Sequence, residues 1–339
     1  MKRLWVLGSS VLLLVPACSD SNGSGSSPIG DGPSLAGLLH AVPDTADSRG
    51  NPVYYGNLTV VRAGQLPDNF DDDLALLVEN SSGQVFLPDA VRSGIREPEF
   101  AQYAGFDTRQ IAVALEYGVL PDTVAVLVGT MKSGAIQKGL EASPGGEATT
   151  KEQVGAVTYL SLGEDGASDF GSVSPIRRVG QPLRLAIEGD TLYWGRTRAS
   201  VEAAVGAVAN AAPSLADDAN YLAVAGALDA AKVANGILVA PAAAESWSLA
   251  GLGETFQGDA STVTVALLYA TPAMATAAVA AFRAHIESGV SLVSSAPWSA
   301  VLTVVDISAS GPLMTATLTS KRPGLAANVV VTQDNLLQF

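Results

Sequence analysis

Apolar positions recur along this chain with two different spacings, which together predict a mixture of strands and helices. Short apolar runs bounded by Gly, Asp or Pro are typical of strands. Three of these runs begin near residues 124, 191 and 263, and each is followed by a threonine and then by an apolar stripe of helical spacing. In the third unit Thr271 precedes Pro272, and proline is a preferred first residue of a helix. The pattern therefore predicts strand–Thr–helix units that recur along the chain.

Two hairpins are predicted where apolar runs are separated by turn residues. The runs 183–187 and 191–194 flank Gly189-Asp190, and a second pair of runs flanks Gly311-Pro312. Such pairs favour tight turns between antiparallel strands. Hairpins mixed with single helices are typical of the α+β class. We therefore predict an α+β fold with largely antiparallel sheet, helices packed on one face, and repeated strand–helix units.

Two further segments are predicted to be helical from their apolar spacing and their end residues. Asp107 is a suitable N-cap for a helix over 107–117, where Ile111 and Leu115 lie one turn apart and Gly118 follows as a C-cap. Residues 213–229 are predicted to form a helical connector that Asp217 or Asp218 caps. The body, 35–339, is accordingly predicted to be one α+β domain, or two subdomains split near residues 210–235.

The first eighteen residues have the organisation of a secretory signal. Lys2 and Arg3 precede an apolar run over residues 4–15, which is too short to span a hydrocarbon core of about 30 Å at about 1.5 Å per residue. The run ends in Val-Pro-Ala-Cys, and Cys18 is the only cysteine of the chain. This segment resembles the lipobox of bacterial lipoproteins, from which it departs at Pro16. The resemblance implies cleavage before Cys18 and attachment of lipid, with palmitate among its acyl chains, to that residue.

The lipobox resemblance implies that the N-terminal part of the chain consists of two segments, and it implies a location for the protein. Residues 1–17 are predicted to be the signal peptide, and 18–34 to be the lipidated cysteine and a tether. Ser, Gly, Asp and Pro dominate that tether, so it cannot bury enough apolar surface to fold. We expect the protein in the cell envelope, anchored by lipid on the outer face of the cytoplasmic membrane. Asp20 resembles an inner-membrane retention signal, but the choice between inner and outer membrane stays open.

The charge of the chain excludes two kinds of partner. Nineteen Lys and Arg stand against 33 Asp and Glu, a formal net charge of −14. Nucleic-acid binding needs cations that displace counterions from phosphates, so we expect no nucleic-acid partner. Electrostatic docking on anionic lipid is disfavoured for the same reason. We expect the membrane to be reached through the lipid at Cys18, and the acidic charge to keep the body soluble.

No catalytic, cofactor or metal motif is found in the sequence. The two histidines, His40 and His285, have no partner at a metal-ligand spacing, and the acidic run 68–73 lacks the spacing of an EF-hand. A P-loop and a nucleophile elbow are also missing. Trp247 lies beside glycines, where an exposed aromatic side chain would indicate a binding loop. We therefore predict no catalytic residue, no cofactor and no metal site, and Cys18 is the one modified residue that we expect.

Two segments of the body, Val42–Thr45 and Pro213–Tyr221, resemble stretches of uncharacterised secreted bacterial proteins without an assigned function. The resemblance is loose and implies no activity. Together with the lipobox, it favours a membrane-anchored, non-enzymatic envelope lipoprotein that binds a protein partner or serves assembly. Two alternatives stay open at this point. One is a carrier or sensor of a small apolar or lipid ligand held between sheet and helices. The other is an envelope hydrolase that assembles His40, His285 or an acid pair in a cleft.

Overall fold

The computed structural model describes residues 32–64, 86–92, 94, 97–241, 245–257, 260–321 and 324–339. Cys18 and the acidic run 68–73 lie outside these ranges, so the predictions made for them stay predictions, as do the predicted boundaries of signal, tether and body. Twelve strands of the described part form one sheet. They are β1 Val53–Asn57, β2 Ile111–Tyr117, β3 Val124–Gly129, β4 Thr150–Val154, β5 Val157–Leu162, β6 Leu183–Glu188, β7 Thr191–Gly195, β8 Asn235–Val239, β9 Trp247–Gln257, β10 Ala260–Tyr269, β11 Leu302–Ser310 and β12 Leu313–Ser320.

Eleven α-helices accompany the sheet in the described residues. They are α1 Leu35–Leu38, α2 Ala46–Gly50, α3 Leu58–Gly64, α4 Asp89–Arg92, α5 Phe100–Ala104, α6 Ser133–Ala142, α7 Arg198–Val208, α8 Ala219–Ala230, α9 Pro272–Ser288, α10 Trp298–Val301 and α11 Leu325–Val331. None of these helices has the length and the apolar character that crossing a membrane requires.

The strand order contains the same connection twice. Across the sheet the order is β11-β12-β10-β9-β8-β1-β2-β3-β7-β6-β5-β4. In the first unit β1, β2 and β3 are neighbours in chain order, α6 follows, and β7 returns beside β3. In the second unit β8, β9 and β10 are neighbours, α9 follows, and β12 returns beside β10. The units meet where β1 pairs antiparallel with β8. The predicted α+β class with a large antiparallel sheet is confirmed.

Both faces of the sheet are covered by helices. Successive residues of a strand point to opposite faces. In β3 Val124 and Val126 join the core that contains the buried residues of α7 and α8, whereas Ala125 and Leu127 join the core beneath α6. At the other end of the sheet β10 divides in the same way, between α8 on one face and α9 on the other. The sequence predicted helices on one face, and the structure adds this second helical layer.

Threonine and aspartate caps begin the three longest helices, α7, α8 and α9, as predicted, whereas α6 begins after Lys132 without a side-chain cap. Thr197 Oγ1 accepts a hydrogen bond from Ser200 N at 3.3 Å, and Thr271 Oγ1 accepts one from Met274 N at 3.3 Å. Asp218 Oδ1 accepts from Asn220 N at 2.8 Å at the start of α8. These bonds satisfy backbone N–H groups that have no partner within the helix.

The predicted helix over 107–117 is wrong, because most of this segment is strand β2. Asp107 does act as a cap, but of a single 3₁₀ turn, Thr108–Gln110. β2 lies between β1 and β3 with helices over both faces, and all its residues except Glu116 are buried. A strand that is buried on both faces does not alternate between apolar and polar residues. The continuous apolar run of β2 therefore also contained apolar residues at helical spacing, which led to the wrong prediction.

The two segments that resemble other secreted proteins contact each other. Pro43 and Ser214 form an isolated antiparallel bridge. Arg49 of α2 donates to Asp44 Oδ2 at 2.8 Å and to Asp218 Oδ2 at 2.7 Å. The connector before α8 is thus tied to the start of the body. The structure places Ala219–Ala230 in the predicted connector helix.

Candidate functional site

A surface groove formed by adjoining cavities lies at the end of β2 and β7. The central cavity, of about 310 Å³, is bordered by Asp89, Arg178, Gln181 and Arg196. A cavity of about 180 Å³ adjoins it at Asp89, Gln181 and Arg196 and reaches Glu116. A third, of about 250 Å³, adjoins the central cavity at Arg178. We call the three together the arginine groove.

Three apolar side chains are exposed along the arginine groove. Leu120, in the turn between β2 and β3, is 65% exposed, and Val179 and Val173 are 51% and 45% exposed. Each of the three lines one of the cavities. Single exposed apolar residues are common on protein surfaces, but several beside one groove indicate a binding surface.

Glu116 lines the cavity of about 180 Å³ at one end of the arginine groove. It is the only acid in β2, and its register partner in β1 is Tyr54, which places both side chains on the same face. Its Oε2 accepts a hydrogen bond from Asp89 N at 2.8 Å. Burial raises the pKa of Glu116 to about 7, against the lowering effect of that bond and of Arg92 and Arg196. This carboxyl group can therefore gain or lose a proton near neutral pH, as perturbed groups at functional sites often do.

The segment 86–92, which we call the strap, forms one wall of the arginine groove. Phe86 N donates to Asn235 Oδ1 at 2.5 Å, and the Phe86 ring stacks on Tyr54 with centroids 5.1 Å apart. A Cβ atom on Gly56 would lie 2.1 Å from Phe86 O, so the strap approaches β1 as closely as only glycine allows. The bond from Asp89 to Glu116 holds its other end. The strap thus links the wall of the groove to three neighbouring strands.

The guanidinium groups of Arg178 and Arg196 are the main cations of the groove. Arg178 is exposed, and Arg196 directly follows β7. Across the described ranges neither forms an ion pair, although the charge of Arg196 acts on Glu116. Asp89, the acid between them, pairs with Arg92 at 3.2 Å. In a chain of net charge −14, two such arginines beside one cavity form a local positive site.

A buried hydroxyl group adds to the polar lining. Ser174 is 7% exposed and borders the cavity that adjoins the central one at Arg178. Its Oγ is buried and makes no hydrogen bond. Buried hydroxyl groups are normally satisfied, so this hydroxyl group keeps an unused hydrogen-bonding capacity beside the groove.

The residues that the sequence singled out do not assemble into this groove. His40 is exposed in the segment before α2, and its charge acts on Asp217. His285 is half-buried in α9 with its ring 6.0 Å from that of Phe339, and burial lowers its pKa. Trp247 is buried, and its Nε1 donates to Leu337 O at 3.1 Å, so it belongs to the core and not to a binding loop. The described residues contain no cluster of three His, Cys, Asp or Glu side chains that could hold a metal ion.

Sequence reasoning missed Glu116, Arg178 and Arg196. One signal was available for the first of them, because Glu116 interrupts the otherwise uncharged strand 111–117. A lone acid in an apolar strand is costly to bury and so requires an explanation. Arg178 and Arg196 lie in loops of mixed composition, where nothing in the sequence separates them from other surface cations.

Comparisons with known proteins find a distant structural similarity. No family model matches the chain, and no curated protein matches it. Crystal structures of the Treponema protein TP0453 match at low similarity. Crystal form III aligns with a TM-score of 0.42 and 9% identity over 86% of this chain and 97% of the other. Crystal form IV aligns with a TM-score of 0.43 and 11% identity over 86% and 95%. Similarity at this level assigns neither a family nor an activity.

A Glu116→Gln variant is expected to lose the pH dependence of stability that the Glu116 carboxyl group causes. The pKa of Glu116 is about 7 in the folded protein against an ordinary value of 4.5, so the folded state binds this proton more tightly. The free energy of unfolding therefore falls as pH rises from about 5 to about 7, and glutamine should be more stable than glutamate by about 1–3 kcal/mol at pH about 8. Urea unfolding between these pH values measures the difference. The exposed Glu287→Gln is the control, and equal pH profiles for both variants would contradict the assignment.

Proposed function

We propose that this chain is a lipid-anchored protein of the bacterial envelope, presented on the outer face of the cytoplasmic membrane. The support is the signal-like segment that ends at Cys18 and the polar tether that follows it. A tether of this composition behaves as a flexible coil, so it leaves the body free to meet other molecules near the membrane. The lipid at Cys18 supplies the attachment, because the acidic body has no charge-based attraction to anionic lipid.

The body acts as a binding module for another envelope protein, and the arginine groove is its contact surface. The observation that carries this function is the combination of exposed apolar side chains with two arginines beside one cavity. Arginine and apolar groups are enriched in the energetically important parts of protein interfaces. The alternative, a carrier of a small apolar ligand, would hold its cargo between sheet and helices. The groove instead lies at the surface, which favours a protein partner.

The module is non-enzymatic in this proposal. A nucleophile needs an adjacent base, and a general acid or base needs a substrate position within hydrogen-bond distance. Glu116 is the carboxyl group of the groove whose pKa is raised to about 7, and its described hydrogen bond is to the backbone of the strap. We assign it the role of holding the groove wall. The hydrolase alternative would instead require it to act on a bound substrate.

A photo-crosslinking amino acid at Leu120 or at Val179 is expected to trap the partner in intact cells of the host. Both side chains are more than half exposed at the groove, so a bound protein would lie within reach of the probe. We expect one discrete adduct at both positions. Val305 in β11 is 62% exposed and lies on the edge strand at the far end of the sheet from β4, so it is the matched control. An equal yield at Val305, or no adduct at either groove position, would contradict the proposed function.

A further inference from the structure

We propose that the central cavity of the arginine groove binds a carboxylate group carried on a short apolar stem, the chemistry of a peptide's C-terminal residue. This inference rests on the proposed function and names the chemical group that the partner inserts. A free small carboxylic acid offers the same chemistry, and the experiment below separates the two sources.

The charges around the central cavity favour an anion. Arg178 and Arg196 both border it, and Asp89, the one acid that the described residues place at its wall, already pairs with Arg92 and donates its backbone N–H to Glu116. Guanidinium groups are donors without an acceptor atom, and their planar geometry matches a carboxylate. The central cavity therefore offers two guanidinium groups that form no ion pair within the described ranges.

Acidic side chains in the two outer cavities of the groove favour the central cavity as the position of the anion. Glu97 and Glu99 border the outer cavity of about 250 Å³, and Glu116 borders the outer cavity of about 180 Å³. A carboxylate that entered either end would face these like charges, which repel it. The position between Arg178 and Arg196 is favoured over both. Ser174, whose buried Oγ makes no hydrogen bond, lines the cavity that adjoins the central one at Arg178.

The volume and the apolar lining of the central cavity determine how large an apolar stem can bind there. Ala90, Pro175, Ile176 and Val179 line it with apolar surface. Its volume of about 310 Å³ lies at the lower end of the range for small-ligand sites, roughly 300–1,000 Å³. One or two residues with an apolar side chain fill such a space. The groove continues on both sides, so the rest of a peptide can leave the cavity without a clash.

NMR titration of the mature protein with N-acetyl-Ala-Val as the free acid and as the amide tests the proposal. We expect saturable shifts of the Arg178 and Arg196 side-chain N–H signals with the acid, at a dissociation constant on the order of 1 mM. The amide should bind at least about ten-fold more weakly, because it lacks the charge that both guanidinium groups recognise. Arg178→Ala and Arg196→Ala should each weaken binding of the acid by about ten-fold. The exposed Arg283→Ala on α9 should leave it unchanged.

Butyrate is the third ligand of the titration, and it distinguishes the sources of the carboxylate. Binding of the dipeptide acid that is tighter than that of butyrate supports a chain terminus, and equal binding supports a free small acid. Equal affinity for acid and amide overturns the inference, as does an absence of shifts up to about 50 mM or indifference to both arginine variants. The Leu120 cross-link, repeated in an Arg178→Ala/Arg196→Ala protein, shows whether the carboxylate inference alone has failed or whether the proposed protein-binding function has failed as well. If the adduct persists there, a partner binds the groove but not through a carboxylate.

Discussion

A Cys18→Ser variant is expected to lose its palmitate label and to pass from the membrane fraction to the soluble fraction. The serine hydroxyl cannot take the place of the thiol that the lipobox interpretation predicts to be lipidated, and the chain has no second cysteine. Stable anchoring needs more than one acyl chain or an added basic patch, and a chain of net charge −14 is not drawn to anionic lipid strongly enough to compensate. The effect should therefore be close to all-or-none. Labelled palmitate followed by fractionation of host membranes measures it.

The control for the anchor is Ser19→Ala, which alters the adjacent residue and leaves the thiol in place. It should keep both the label and the membrane location. Globomycin, which blocks the lipoprotein signal peptidase, should cause the uncleaved form of the wild-type protein to accumulate. If the Cys18→Ser variant stays in the membrane fraction with its label, the lipobox interpretation is wrong, and Pro16 is the departure that would explain it.

A Glu254→Ala variant is expected to lower the free energy of unfolding by about 3–5 kcal/mol, the cost of breaking a buried hydrogen-bonded charge. Glu254 lies in β9 with 0% of its surface exposed. Its carboxylate accepts from Ser261 Oγ, from Gly324 N at 3.0 Å and from Ala326 N at 3.2 Å. All three partners are donors at the start of α11 or on β10. Removal of the carboxylate leaves them buried without an acceptor.

The pKa of Glu254 is raised by burial, and the hydrogen bonds it accepts oppose that rise. Its contribution to stability therefore falls as pH rises from the ordinary value of 4.5 towards the raised value. Glu254→Gln should be destabilised less than Glu254→Ala, by about 1–3 kcal/mol, because the amide keeps one acceptor but turns an N–H₂ group towards a donor. Urea unfolding of both variants, with the exposed Glu287→Ala as control, measures this order. A loss below about 1 kcal/mol for alanine would contradict the role of Glu254 in fixing α11 to the sheet.

Local signals in the sequence predicted a large part of the fold because the residues that form each feature are close in the chain. The hairpin at Gly189-Asp190 and the caps at Thr197 and Thr271 depend on contacts over three or four residues. Those features are confirmed. The segment that forms β2 was wrongly predicted to be a helix. Its burial on both faces is caused by β1, β3 and the helices above and below the sheet, and the sequence of the segment alone does not show that these elements cover it.

The assembly of the arginine groove could not be predicted from the sequence, although the lone acid Glu116 in an apolar strand was a signal for one of its residues. Asp89, Glu116, Arg178 and Arg196 come from four separate parts of the chain, and they meet because β2 and β7 flank β3 in the sheet while the strap crosses β1 and β2. The raised pKa of Glu116 has the same origin, because it results from burial by elements distant in sequence.

The sequence by itself determined the acidic charge, the single cysteine behind a signal-like segment, the α+β class and the starts of the three longest helices that the structure describes. These properties depend on composition or on neighbours in the chain. Only the tertiary structure decided that two similarly connected units share one sheet, that helices cover both of its faces, and that two arginines and a buried carboxyl group border one groove. The physical reason is that burial, and the pairing of charges across it, depend on which distant segments pack together.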